Sequence, residues 1–173
     1  MKMYKYSDKD IKQMIKQMSI LIDSREKANG HITDYFEKNH IPYETTTLSY
    51  GDYSCKIPTS TGDIYFHNDI VVERKNSLEE LSGSLTRDRE RFEREFLKAG
   101  NDGAKAYLMV EAPGGYSDII GHKYRTEFKP NAFMASLKAW ESRFNCNVQF
   151  IDKQYAGYFI LSTIQYFVKE SLK

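Results

Sequence analysis

Near the middle of the chain an apolar run, Ile70-Val71-Val72, ends abruptly in Glu73-Arg74-Lys75. The run is short and β-branched, which predicts a buried strand. On a strand, Glu73 and Lys75 share one face and Arg74 points to the other. A carboxylate and an ammonium presented together at a strand end suit phosphodiester hydrolysis. The acid can hold a divalent cation, and the lysine can stabilise charge on the phosphate or orient the attacking water. Two further acids stand in similar places. Ser19-Ile20-Leu21-Ile22 predicts a strand that runs into Asp23, Ser24, Arg25, Glu26 and Lys27, and Gly51 permits a sharp bend that presents Asp52 at the start of a strand over 53–57. Taken singly, each has a plainer reading: a solvated charge cluster, a turn aspartate, a surface Glu-x-Lys pair. Together, if the three strands are neighbours, Asp23, Asp52 and Glu73 converge with Lys75. Three carboxylates repel one another unless a cation sits between them. An all-oxygen set without Cys or His favours Mg²⁺ or Mn²⁺ over zinc.

The elements that would position these residues alternate between strand and helix, and in such sheets chemistry gathers at strand ends. Ser7 with Asp8 and Asp10 marks a helix start, and Ile11, Met14, Ile15 and Met18 give it a packing stripe. Ile32, Tyr35 and Phe36 predict a short helix stopped by Pro42, with His31 and His40 as surface or capping residues. Residues 43–48, 53–57, 64–66 and 70–73 read as an antiparallel meander leading into the Glu73 strand. One long helix is expected over about 78–99, with Leu78, Leu81, Leu85, Phe92 and Phe96 as its apolar stripe. Arg89 falls inside that stripe, and an inward arginine needs an anion partner. The remaining charges of this helix, Glu95 among them, read as a solvated surface. A strand over 104–110 ends at Glu111. The segment 116–129 is the least regular, and it interleaves His122, Lys123, Arg125 and Lys129 with Tyr116, Tyr124 and Phe128, a composition that suits a nucleic-acid backbone as well as it suits a surface loop. A helix over 131–144, a strand over 148–151 and a closing, aromatic-rich helix over about 154–172 complete the chain.

At 173 residues the chain suits one domain, read here as 1–173. A net charge of +1 advertises no global affinity for nucleic acid, so any such contact must come from a local patch. Cys55 and Cys146 lack zinc-site spacing. With no signal peptide and no membrane-spanning run, a reducing cytoplasm is the expected compartment. Gly114-Gly115 is not followed by the Lys-Ser/Thr of a nucleotide-binding P-loop, so no nucleotide cofactor is expected.

Ile22-Asp23-Ser24-Arg25-Glu26, then Gly51-Asp52, then Val72-Glu73-Arg74-Lys75, in this order, resemble the nuclease domain of the XPF family of structure-specific DNA endonucleases. The likeness extends through the Ser84-Leu85…Arg89 helix and Val110-Glu111, over roughly 19–145. It implies the α/β fold of the PD-(D/E)xK, restriction-endonuclease-like group: a central mixed β-sheet flanked by helices. It also implies Mg²⁺-dependent cutting of branched or flap DNA in repair, recombination or replication. By that likeness Asp52 and Glu73 are metal ligands, Asp23 adds an acid to the metal site, and Lys75 is the catalytic lysine. Arg25, Glu26 and Arg74 support the site or touch the phosphate, and Arg89 matches the family's arginine on the following helix. The family signature ends in an aspartate, where this chain has Glu79, or Glu80 if matched backwards from Ser84-Leu85. Family members usually also carry a helix-hairpin-helix pair or a helicase; a stand-alone nuclease domain is expected here. The family pairs through its nuclease domains, so a homodimer is expected. Two other readings remain: a non-catalytic DNA-binding or partner subunit, and a resolvase-like nuclease of the same group.

Overall fold

In the computed structural model, which describes residues 5–173, six strands form one mixed sheet in the order β2-β1-β3-β5-β6-β7, and β4 pairs with β3 off this path. The strands are β1 (Ser19–Asp23), β2 (Tyr43–Thr46), β3 (Tyr53–Ile57), β4 (Ile64–Tyr65), β5 (Ile70–Lys75), β6 (Lys105–Val110) and β7 (Cys146–Phe150). The helices are α1 (Asp8–Lys16), α2 (Gly30–Lys38), α3 (Leu78–Leu85), α4 (Arg89–Asp102), α5 (Gly115–Ile120), α6 (Pro130–Arg143) and α7 (Ala156–Ser171). The expected central mixed sheet flanked by helices is therefore the observed architecture.

Strand direction decides where the charged ends go. β1 runs parallel to β2 and antiparallel to β3, β3 runs antiparallel to β5, and β5, β6 and β7 are parallel. The C-terminal ends of β1, β5 and β6 and the N-terminal start of β3 therefore lie along a single edge of the sheet. Asp23, Asp52, Glu73 and Glu111 are the residues found there.

Alternation splits the buried side chains into two cores. Val71, Leu108 and Val110 face α3, α4, α5 and α6, with Phe92, Phe96, Phe133, Leu137 and Trp140. Ile20, Ile22, Tyr53, Val72 and Met109 face α1, α2 and α7, with Phe36, Ile160, Ile164 and Val168. No helix among the described residues is long and apolar enough to cross a membrane.

Two expectations change. The segment 43–73 is not a meander: β2 pairs with β1 in parallel, across the crossover through α2, and β4 pairs only with β3. Alternation in sequence marks strands, but it carries no information about which strand lies beside which. The long helix over 78–99 is two helices. It breaks at Thr86, whose backbone is non-helical and whose hydroxyl donates to the Ser82 carbonyl. An exposed β-branched residue with such a local bond competes with helix continuation. The irregular segment 116–129 also holds most of a short helix, α5.

Candidate active site

Backbone pairing brings the signature residues side by side. The Asp23 amide donates to the Asp52 carbonyl at 2.8 Å, and the Asp52 amide donates to the Val72 carbonyl at 2.9 Å. Gly51 makes the bend with φ +70°, and a Cβ there would lie 2.8 Å from that of Val71, so both conformation and space call for glycine. The bend turns the Asp52 side chain toward β5, where its Oδ2 accepts from the Arg74 amide at 2.7 Å. Glu73 and Lys75 emerge on the same face, as the two-residue spacing requires, and the Lys75 ammonium sits 2.7 Å from Glu73 Oε1. Phe92 of α4 lies beneath that ammonium, with its ring centroid 4.7 Å from Nζ, and is itself stacked on Trp140. A cation held between a carboxylate and a ring face keeps one orientation.

The electrostatics follow from crowding. Burial, and then the Glu73 charge beside it, push Asp52 well above the usual carboxylate range, while the Arg74 amide and Lys75 pull it down. Burial works against the charge on Lys75, but Glu73 outweighs it and holds the ammonium above its ordinary range. Glu95, on the α4 side of the same cleft, is pushed up by burial and by Glu73. Its placement differs from the expected solvated surface: it follows Phe92 by three residues and so flanks the buried stripe.

Asp23 is not brought into this set. Its Oδ1 accepts from the Arg25 amide and Nε, and its Oδ2 accepts from Arg25 Nη2 and the Leu48 amide. Four donors saturate the carboxylate and make Asp23 a brace between the β1 end and the loop before β3. Arg25 completes that brace through the Leu48 carbonyl and leaves much of its side chain in solvent near Asp52.

Arg74 lies on the opposite face, as alternation predicts, and is nine-tenths or more buried. Its Nε and Nη2 grip Glu111 at 2.8 and 3.0 Å, and its Nη1 meets Glu26 at 3.1 Å. His31 Nε2 lies 2.7 Å from the same Glu111 oxygen. With every nitrogen engaged inside the protein, Arg74 and Glu26 support the site from behind and do not reach a phosphate. Sequence alone reads Glu111 as a strand end within the family likeness and His31 as a surface or capping residue, and assigns neither to the site. Glu111 carried a signal, since it follows an apolar strand as Glu73 does; His31 carried none. Arg89 is only half-buried, because the break at Thr86 moves it from the apolar stripe to the first turn of α4. It has no anion partner among the described residues.

Glu79 and Glu80 divide the role left open by the signature. Glu80 lies 3.8 Å from Lys75 and accepts from the Asn76 amide, while its own amide donates to the Ser77 hydroxyl that caps α3. Glu79 turns away, to the Arg125 amide.

No three of His, Cys, Asp and Glu form a ready-made metal cage among the described residues. Asp52 and Glu73 nonetheless fit a hard cation: two crowded carboxylates, one pushed up by burial and by the other's charge, would be relieved by a positive ion beside them. Two carboxylates completed by water and substrate phosphate are the set that Mg²⁺ commonly uses.

Residues 22–161 match the family model of the ERCC4 domain. Two solved structures share the fold: XPF from Aeropyrum pernix, at 18% identity and TM-score 0.61, and XPF from Aeropyrum pernix in complex with DNA, at 18% identity and TM-score 0.62. The first match covers 86% of this chain and 60% of that one, the second 87% and 65%, so the chain spans somewhat under two thirds of either structure. No curated protein matches the chain.

Proposed function

The chain belongs to the ERCC4 domain family, and from that membership we propose that it is a metal-dependent DNA endonuclease acting on branched or flap duplexes. The observation that carries the reading is the convergence of Asp52, from the bend before β3, with Glu73 and Lys75 of β5 at one sheet edge. The DNA held by the similar XPF structure from Aeropyrum pernix supports the choice of substrate.

In this mechanism Asp52 and Glu73 would hold Mg²⁺ or Mn²⁺, which would supply a water of lowered pKa and neutralise charge on the phosphate. Lys75, fixed as the ammonium by Glu73 and Phe92, donates to a non-bridging phosphate oxygen as negative charge builds there. Hydrolysis bonds a water oxygen to phosphorus as the phosphorus–oxygen bond to the leaving group breaks, and the proton the water gives up to solvent is matched by one that the departing oxygen takes from solvent. The Arg74 amide keeps Asp52 aimed while its guanidinium is locked on Glu111 and Glu26. Arg89 and Arg25, with side chains reaching solvent, are the cations left to meet flanking phosphates. Residues 1–173 form one nuclease unit in this reading, working in the cytoplasm. It pairs with a second copy; the exposed Tyr158 and Tyr166 on α7 provide a surface for that pairing.

Incubation with flap, fork and plain duplex DNA, with Mg²⁺ or with EDTA, tests the proposal. Cutting is expected only with the metal. Asp52→Asn and Glu73→Gln are expected to lose at least about a hundredfold in rate, equivalent to roughly 2.7 kcal/mol of barrier. Cutting that survives EDTA, or Asp52→Asn at the wild-type rate, would overturn it.

A further inference from the structure

The acid at the end of the family signature does something else in this chain. Glu79 Oε1 accepts from the Arg125 backbone amide at 3.1 Å, across 46 residues of sequence. Three residues on, Ser82 Oγ meets Thr126 Oγ1 at 2.7 Å. α3 therefore holds the loop 121–129 against the rim of the site, one residue away from Glu80, which faces Lys75. The loop is also tied within itself. Tyr124 is buried against Phe133 and its hydroxyl donates to the Phe128 carbonyl, Phe128 stacks on Phe133, and His122 Nε2 lies 3.0 Å from the Thr126 carbonyl. What this rigid loop leaves outside is basic on balance: Lys123, Arg125 and Lys129 are exposed, with the single acid Glu127 among them. Lys123 has Asp118 at 3.3 Å, while Arg125 and Lys129 have no carboxylate within salt-bridge distance among the described residues.

We propose that loop 121–129 is a preformed second grip on the phosphate backbone of duplex DNA, alongside the strand held at Asp52, Glu73 and Lys75. The inference rests on the nuclease reading and deepens it. The rings decide in favour of duplex over single strand. Binding unstacked bases takes exposed aromatic faces. Here Tyr124 is buried and Phe128 packs on the core, so apart from Glu127 and from His122, which is tied to the Thr126 carbonyl, the long side chains that face outward are cations. Contacts of this kind fix register on the duplex without reading its sequence. A loop already ordered by Glu79, Ser82 and Phe133 loses little entropy on binding. The patch also resolves the near-zero net charge: attraction to the polyanion is local and sits beside the site.

Each phosphate neutralised contributes about 0.9 to the slope of log affinity against log salt on duplex DNA. Binding of a labelled plain duplex and a labelled oligo-dT to the full chain is measured in EDTA, so that nothing is cut, across a salt series. For the triple variant Lys123→Ala, Arg125→Ala, Lys129→Ala the duplex slope is expected to fall by about 2 to 3 units. A matched triple on α1, Lys9→Ala, Lys12→Ala, Lys16→Ala, lies across the sheet and is expected to keep the wild-type slope. Glu79→Ala, which frees the loop but keeps its charges, is expected to weaken duplex binding, and Glu79→Gln, which retains the acceptor, is expected to restore it. Equal duplex slopes for the loop triple and the wild type overturn the loop assignment alone. An equal loss on oligo-dT overturns the duplex choice. A wild-type chain that binds no duplex at any salt overturns this inference together with the nuclease reading.

Discussion

A buried guanidinium with each of its nitrogens engaged, as at Arg74, ties several parts of the site together. Its amide aims Asp52, its side chain spans Glu111 and Glu26, and Glu111 in turn holds His31 at the start of α2. Removing one partner of a buried pair strands the other, at about 3–5 kcal/mol. Glu111→Ala should therefore lower stability by about that amount in urea unfolding, and should slow cutting although it touches no substrate. The pH dependence follows from the same contacts. Burial opposes the Glu111 charge, but Arg74 and His31 outweigh it, so its folded pKa lies below the ordinary 4.5. The stabilisation is thus fully present above 4.5 and is lost as pH falls through the depressed folded value. Acid titration of Glu111→Gln should show a shallower loss of stability below pH 4.5 than the wild type; parallel curves would remove Glu111 as the cause. The face that Arg74 occupies was legible from two-residue alternation, but its partners, 37 and 48 residues away, were not.

Among the elements, α2 and α7 make a close approach that depends on one missing side chain. A Cβ on Gly157 would lie 2.7 Å from three atoms of Tyr35. Because the clash is with the root of a ring and not a flexible tip, the helices must separate. Gly157→Ala should cost about 1–3 kcal/mol, read as a lower urea midpoint with little change in the slope. A wild-type midpoint would mean that Tyr35 rotates away freely. Helix and strand periods could be read from residues 8–16, 30–38 and 156–171, but this approach could not, since a helical glycine looks the same wherever it packs. The α3–α4 break was hidden for a related reason: Leu85 and Phe92 keep an apolar stripe going across 86–88, and nothing there is Gly or Pro.

For the molecule as a whole, one sheet carries both cores. Ile164 packs on the α7 side and Trp140 on the α6 side, so damage to one core is transmitted through shared strands. Ile164→Ala, a fully buried truncation, should cost about 2–5 kcal/mol. Tryptophan fluorescence from the far core and far-UV circular dichroism should shift together in one transition. Two separated transitions would mean that the cores melt independently.

The sequence by itself determined the strand ends, their charges and the faces on which Glu73, Lys75 and Arg74 emerge, because a strand's period of two is a local property of the backbone. Ordered spacing of Asp23, Asp52 and Glu73 also carried the family. Only the tertiary structure decided which acids share a cleft. It turned Asp23 onto Arg25 and Leu48, brought Glu95 to Glu73, and sent Glu79 to Arg125. Those outcomes depend on strand order, on the break at Thr86 and on competition among donors for each carboxylate, all of which arise between residues far apart in the chain.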